Sequence, residues 1–71
     1  MYFVDMAVDV LRTSNDQEER GMALISIRSA IYRRVPGIEQ VIMDLSKEDV
    51  LTDNDVYLLT QAIIVRDEKM S

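Results

Sequence analysis

The stretch that decides the fold is Asp53–Asp67, which reads DNDVYLLTQAIIVRD. Its apolar residues are Val56, Tyr57, Leu58, Leu59, Ala62, Ile63, Ile64 and Val65. At helical spacing they point to nearly every side, and a helix of this kind must be enclosed by its surroundings. Three short helices cannot easily cover every side of a fourth. We therefore expect a second chain to cover Tyr57, Leu58 and Ile64.

The residues before this helix contain a start signal and an acidic connection. Thr52 is the predicted N-cap, and Asp55, three residues later, completes a capping box with a shorter side chain than the usual Glu or Gln. The segment Asp44–Asp55 has the twelve-residue length and acidic ends of a calcium loop. However, Asp49 stands where that loop needs glycine, and Asp55 stands where it needs a bidentate Glu. An acidic connection between helices is the favoured interpretation.

A third helix is predicted over residues 36–46. The i, i+3, i+4, i+7 spacing of its apolar residues is the clearest periodic signal in the chain. These residues are Ile38, Val41, Ile42 and Leu45. Pro36 cannot continue the preceding helix, because it has no backbone N–H to donate, but it suits the first turn of a new one. The sequence therefore predicts a sharp corner at Pro36.

The second helix is predicted over residues 16–34. Suitable N-cap residues precede it, namely Ser14, Asn15 and Asp16. One apolar stripe is formed by Leu24, Ile27, Ile31 and Val35, widened by Ala23 and Ala30. Ile25 and Tyr32 fall off this stripe on another side. Their position predicts that the second helix contacts two neighbours.

The first segment, residues 2–12, fits two structures. Helical spacing connects Phe3, Met6, Ala7, Val10 and Leu11, with charged residues opposite. Strand-like alternation connects Tyr2, Val4, Met6, Val8 and Val10. A helix is the favoured interpretation, and the edge strand stays the alternative.

Length and composition indicate one all-α domain over residues 1–71, a small bundle of three to four helices completed by dimerisation. A chain of 71 residues has a marginal core on its own, and with no cysteine and no histidine it can add neither a disulfide nor an ordinary zinc site. The N-terminus lacks the basic region of a secretory signal, and Val56–Val65 is about half as long as a membrane span. We expect a cytoplasmic protein with no membrane role.

The residue types needed for most enzyme chemistry are missing. Without histidine or cysteine the chain lacks the commonest general base and metal ligand and the best nucleophile at neutral pH. Lys47 and Lys69 lie in polar segments, where no burial would tune their pKa. We expect no catalysis, no metal and no cofactor.

The arginines and methionines have structural interpretations that the sequence favours. Arg28, Arg33 and Arg34 with Tyr32 could start a nucleic-acid patch, but pairing with the acids of the fourth helix is favoured. The net charge is −5 and its excess lies after Gly37, which disfavours direct nucleic-acid binding. The five methionines are interpreted as core residues, because an adaptable binding groove would need several exposed together.

Two functions follow as hypotheses. The first is a regulatory or adaptor protein that acts through protein–protein interaction as a homodimer, since the all-apolar fourth helix lies beside an acidic segment. The second is an acidic decoy or modulator of a nucleic-acid-binding protein, in the manner of a small phage-encoded inhibitor. The predicted partner-binding residues are Tyr57, Leu58, Ile64, Asp49, Asp53 and Asp55. The identity of the partner is not encoded in any motif.

Two short stretches carry a family resemblance. Residues 38–42, IEQVI, followed by residues 51–55, LTDND, resemble a helix and a capped helix start in the Hha-type nucleoid modulators. Those small helical proteins bind a nucleoid-structuring partner through a carboxylate, whose counterpart by this resemblance is Asp53. The resemblance covers under half of the chain and needs gaps, and the run that follows in that family is not reproduced at Thr60–Arg66. We assign the chain to no family on this ground.

Overall fold

Helices account for every regular element in the part of the chain that the structure describes. The computed structural model describes the backbone of residues 3–70 and the side chains of residues 4–68. In chain order the helices are α1 (Phe3–Thr13), α2 (Gln17–Tyr32), α3 (Ile38–Lys47) and α4 (Asp53–Met70). The predicted all-α bundle is confirmed. The first segment is helical over its described part, while Tyr2 of the alternative strand lies outside the described residues.

Helix α2 is the centre of the bundle because it packs against α1, α3 and α4. Its side chains at Ala23, Ile27, Ala30 and Ile31 are buried, the last three completely. The largest buried side chains from the other helices are Leu11, Leu45 and Leu59. Leu24 and Val35, also on the predicted stripe, are partly buried against this core. The core stripe of α2 was therefore correctly predicted.

The end of α2 is set by a residue in the left-handed conformation. Arg34 has φ 58°, which ends the helix at Tyr32, two residues before the predicted end. The Arg34 N–H donates to the Ile31 carbonyl and the Val35 N–H donates to the Ala30 carbonyl, each at 3.1 Å. These two bonds form a Schellman motif, in which the last carbonyls of a helix are satisfied by the reversing chain.

Helix α3 begins two residues later than predicted. Pro36 lies in the preceding turn, and the N-cap is Gly37, whose φ of 82° suits a residue without Cβ. Its C-terminus repeats the motif that ends α2. Asp49 has φ 62°, and the Val50 N–H donates to the Leu45 carbonyl at 3.4 Å. The twelve residues considered as a calcium loop thus belong largely to α3 and α4, with only residues 48–52 between the two helices.

The predicted start of α4 is confirmed by a reciprocal pair of hydrogen bonds. The Asp55 N–H donates to Thr52 Oγ1, and the Thr52 N–H donates to Asp55 Oδ2, both at 3.1 Å. The same carboxylate oxygen lies 3.5 Å from the guanidinium of Arg20 on α2. Arg20 also donates to the carbonyls of Leu11 (2.9 Å) and Val50 (2.6 Å). One part-buried side chain therefore joins the end of α1, the α3–α4 connection and the start of α4.

Candidate protein interaction surface

Many large apolar side chains lie at the surface of this small bundle. Among residues 4–68, eight large apolar residues are each 43 to 67% exposed. They are Met6, Met22, Ile25, Tyr32, Met43, Tyr57, Leu58 and Ile64. Singly exposed apolar residues are ordinary, so the question is which of them are contiguous.

The solvent-facing side of α2 carries exposed apolar residues at helical spacing. At about 100° per residue, Met22, Ile25 and Tyr32 lie on the side of the helix opposite the buried alanines and isoleucines. Their exposed fractions are 67%, 60% and 46%. Glu18 and Ser29 complete this face at spacings of four and three residues. The central helix thus presents an apolar middle to solvent, although its other side forms the core.

A groove between α1 and α2 continues this face on one side. It has a volume of about 330 Å³ and is lined by Met6, Ala7, Val10, Glu19, Met22, Ala23 and Ser26. Met6 and Met22 border it from opposite helices, and 63% and 67% of them are exposed. The prediction that the methionines fill the core is therefore wrong for the three whose side chains are described, since Met43 is also 53% exposed. Helical periodicity favoured the core for Met6, because that residue lies beside the buried stripe of α1.

A second groove, between α2 and α4, continues the face on the other side. It has a volume of about 150 Å³ and is lined by Gly21, Leu24, Ile25, Arg28, Leu58 and Leu59. Ile25 and Leu58 are its exposed apolar residues. Because both grooves border α2, Met6, Met22, Ile25 and Leu58 form one band across three helices, which we call the α2 band. Charged side chains stand at its edges, with Glu19 in the first groove and Arg28 in the second.

The three apolar residues predicted on α4 are exposed, but they do not share one face. Tyr57 and Ile64 are 61% and 43% exposed and lie within about 20° of each other around the helix. Leu58 is 43% exposed and belongs to the edge that faces α2. The opposite side of α4 is covered within the chain, where Leu59 and Ala62 are buried. The structure thus brings Leu58 to Ile25, and leaves Tyr57 and Ile64 on a separate surface.

The three predicted acidic residues also differ in position. Asp49 is exposed at the end of α3, and Asp53 is exposed in the first turn of α4. Asp55 is only 8% exposed, because its carboxylate accepts the Thr52 N–H and lies against Arg20. The prediction of Asp55 as a partner-binding residue is therefore not retained, since its carboxylate faces its own chain.

A different acidic groove, between α1 and α3, was not predicted from the sequence. It has a volume of about 370 Å³ and is lined by Asp5, Val8, Asp9, Arg12, Val41 and Asp44. Arg12 donates two hydrogen bonds of 2.7 Å to Glu48 at its end. These bonds with Glu48 raise the pKa of Arg12 above its ordinary value, and the charges of Asp44 and Asp9 add to this. The sequence signal was the one-turn spacing of Asp5 and Asp9, which puts both carboxylates on one side of α1.

The basic residues at the C-terminal end of α2 do not pair as predicted. Arg34 donates to the backbone carbonyl of Arg66 at 3.5 Å. Arg28 and Arg33 are exposed, and within residues 4–68 neither forms an ion pair with the acids of α4. Arg66 instead bonds Asp67 and Glu39, at 3.0 and 3.1 Å, and these bonds raise its pKa. Two positive charges are thus left near the end of α2.

Two kinds of site are not found within the described residues. No group of three or more Asp, Glu, His or Cys side chains there could hold a metal ion. None of the helices described is both long and apolar enough to cross a membrane. Comparison of the chain with protein-family models, with curated proteins and with solved structures gives no match.

Proposed function

We propose that this chain is a non-catalytic regulatory or adaptor protein that acts through protein–protein contacts as a homodimer. The observation that carries the proposal is the α2 band. Met6, Met22, Ile25 and Leu58 are each 43 to 67% exposed and line two adjoining grooves. Methionine is flexible and polarisable, and it is common on surfaces that adapt to a protein partner.

The arrangement of charge around the band supports a protein partner over a small molecule. Specific protein interfaces have an apolar centre within a polar rim, and the rim charges raise the rate of association and select the orientation. Here Glu19 and Arg28 stand at opposite edges of the apolar residues. Both grooves are bordered by side chains that are themselves about half exposed, whereas a small molecule needs a cavity that buries most of its surface.

Sedimentation equilibrium of the purified chain across micromolar to millimolar concentration tests the proposal. We expect a monomer–dimer equilibrium that Met22→Asp shifts to the monomer, because a carboxylate in the apolar centre would lose its hydration on association. Met43→Asp is the matched control, since Met43 is 53% exposed on α3 and lies outside the band. A wild-type chain that stays monomeric at every concentration overturns the homodimer.

A second candidate function is supported by the groove between α1 and α3. Asp5, Asp9 and Asp44 line it, and the chain carries a net charge of −5. Carboxylates form strong paired hydrogen bonds with guanidinium groups, so such a groove suits an arginine of a nucleic-acid-binding protein. In this role the chain would be an acidic modulator that competes with phosphate.

Titration with an arginine-rich peptide at several salt concentrations tests the second candidate. Binding should weaken steeply with salt and be lost in the triple variant Asp5→Asn, Asp9→Asn and Asp44→Asn. The single variant Glu39→Gln, on α3 but outside this groove, is the control. Affinity that is indifferent to salt, or equal in the triple variant, contradicts an acidic modulator.

A further inference from the structure

We propose that the occupant of the α2 band is a second copy of this chain, packed so that the two α2 helices run antiparallel across a twofold axis near Ile25. The inference rests on the proposed function and specifies the partner at the same surface. Its first support is the spacing of the outward face of α2. Glu18, Met22, Ile25, Ser29 and Tyr32 alternate by four and three residues, which is the spacing of a seam between two packed helices.

The order of residues along this seam is self-complementary. With the axis near Ile25, that residue packs against its own copy, and Met22 lies opposite the partner's Ser29. The small serine side chain leaves room for a methionine, which is 67% exposed in the single chain. Tyr32 reaches the partner's Glu18, whose carboxylate can accept a hydrogen bond from the phenol. A large residue meets a small or polar one at each level except the central one.

The distribution of charge selects the antiparallel orientation. The N-terminal end of α2 is acidic, with Asp16, Glu18 and Glu19, and the C-terminal end is basic, with Arg28 and Arg33. Parallel helices would place each end beside its own copy, where like charges repel. Antiparallel helices place the acidic end of one beside the basic end of the other.

One pair of residues makes the orientation specific. Glu19, Ser26 and the C-cap residue Arg33 repeat every seven residues. The first two line the groove on the flank of α2 that borders α1. In an antiparallel pair related by a twofold axis, each flank meets the same flank of the partner. Glu19 then faces Arg33 of the partner subunit, twice, with the small Ser26 between the two pairs. The Glu19 carboxylate accepts the Ser14 hydroxyl at 2.6 Å and keeps its second oxygen for this contact.

The size of the band fits a dimer that uses all three helices. A stable interface takes about 800 Å² from each partner. The accessible surface of the chain is 4992 Å², so about one-sixth of it would be covered. The outward face of one helix of 16 residues is too narrow for this. Met6 of α1 and Leu58 of α4 widen the contact on either side, which accounts for the exposure of both.

Charge exchange at Glu19 and Arg33 tests the proposal, with the dimer dissociation constant measured by sedimentation equilibrium. Glu19→Arg and Arg33→Glu should each weaken the dimer about tenfold, because each turns two opposite-charge contacts into two like-charge contacts. The double variant should restore the wild-type constant. Glu19→Arg also makes the net charge less negative, which by itself favours association, so the change in net charge cannot be the cause of a weaker dimer.

Two controls separate association from folding and from net charge. Lys47 lies on α3, away from the proposed contact. Lys47→Glu gives the chain the same net charge as Arg33→Glu does and should leave the dimer unchanged. Circular dichroism of each variant checks the helical fold, and the double variant, which also lacks the Ser14–Glu19 bond, should keep both fold and dimer.

The remaining outcomes distinguish this inference from the proposed function. A dimer that the exchanges leave unchanged but that Tyr57→Asp weakens overturns the α2 pairing and leaves the homodimer in place. Single variants that weaken the dimer without rescue in the double variant overturn the antiparallel orientation. A wild-type chain that is monomeric throughout overturns both.

Discussion

Two residues with side chains, Arg34 and Asp49, occupy the left-handed position that ends a helix, where glycine is the usual residue. For a residue with Cβ this conformation costs about 1–2 kcal/mol, though aspartate tolerates it better than most. In both places an apolar residue follows, Val35 and Val50, and packs against the core. That packing offsets the cost of the strained backbone. The chain thus ends α2 and α3 without glycine at the left-handed position, with the help of these tertiary contacts and, after α2, of Pro36.

Asp49→Gly should stabilise the fold by about 0.5 kcal/mol, because glycine adopts the left-handed conformation freely while losing more backbone entropy on folding. Urea denaturation followed by circular dichroism measures the change. Gly37→Ala is the reverse change and should destabilise the fold, because Gly37 has φ 82°. No neighbouring atom lies within 4 Å of the added methyl group. Any loss of stability there reflects the backbone alone. A destabilised Asp49→Gly variant would contradict the account of this helix end.

Arg20 is the polar residue on which the bundle depends most. Its guanidinium donates to the carbonyls of Leu11 and Val50 and lies 3.5 Å from Asp55. Arg20→Ala should cost about 2–4 kcal/mol, since it leaves part-buried acceptors without a donor. Arg12→Ala is the matched control and should cost much less, because both partners of the Arg12–Glu48 pair are solvated. Equal losses in urea denaturation would contradict this ranking.

At the scale of the element, the sequence predicted three to four helices and the inner stripe of α2, because helical periodicity reports which side of a helix is apolar. It left residues 2–12 open between a helix and an edge strand, because so short a run fits both periods. The sequence also predicted the N-cap of α4, because a capping box depends only on two residues three positions apart, here Thr52 and Asp55. It could not say that Asp55 is buried while Asp53 is exposed, since that depends on Arg20, which is distant in the chain. Nor could it place the methionines, because their apolar character fits core and interface equally.

Adjacent residues of α4 should respond differently to the same loss of apolar volume. Leu59 is 1% exposed against α2, and Leu58 is 43% exposed in the groove beside Ile25. Leu59→Ala should destabilise the single chain by about 2–5 kcal/mol, through lost burial and the cavity it leaves. Leu58→Ala should change single-chain stability little and weaken the dimer. Urea denaturation at low protein concentration and sedimentation at high protein concentration separate the two effects. If both variants destabilise the single chain equally, Leu58 is not an exposed residue available to a partner.

At the scale of the whole molecule, the central helix is divided between two roles. One side of α2 holds the other three helices together. Its other side carries Met22, which at 67% is the most exposed large hydrophobic residue in the described part of the chain. A domain of this size buries only about 60% of the surface of its unfolded chain, so its core is marginal. Covering the outward side of α2 with a second copy would therefore add stability to the same helix that organises the fold.

This coupling predicts a melting temperature that rises with protein concentration. A dimer that forms only from folded chains stabilises the native state by mass action, and the unfolded chains gain nothing. Thermal denaturation by circular dichroism over a hundredfold range of concentration should show a steady increase for the wild-type chain. The double variant Met22→Asp and Ile25→Asp should melt at one temperature throughout, near the wild-type value at the lowest concentration, because both residues are more than half exposed in the single chain. A wild-type melting temperature that does not change with concentration would show that association through α2 does not stabilise the fold, and it would contradict this coupling.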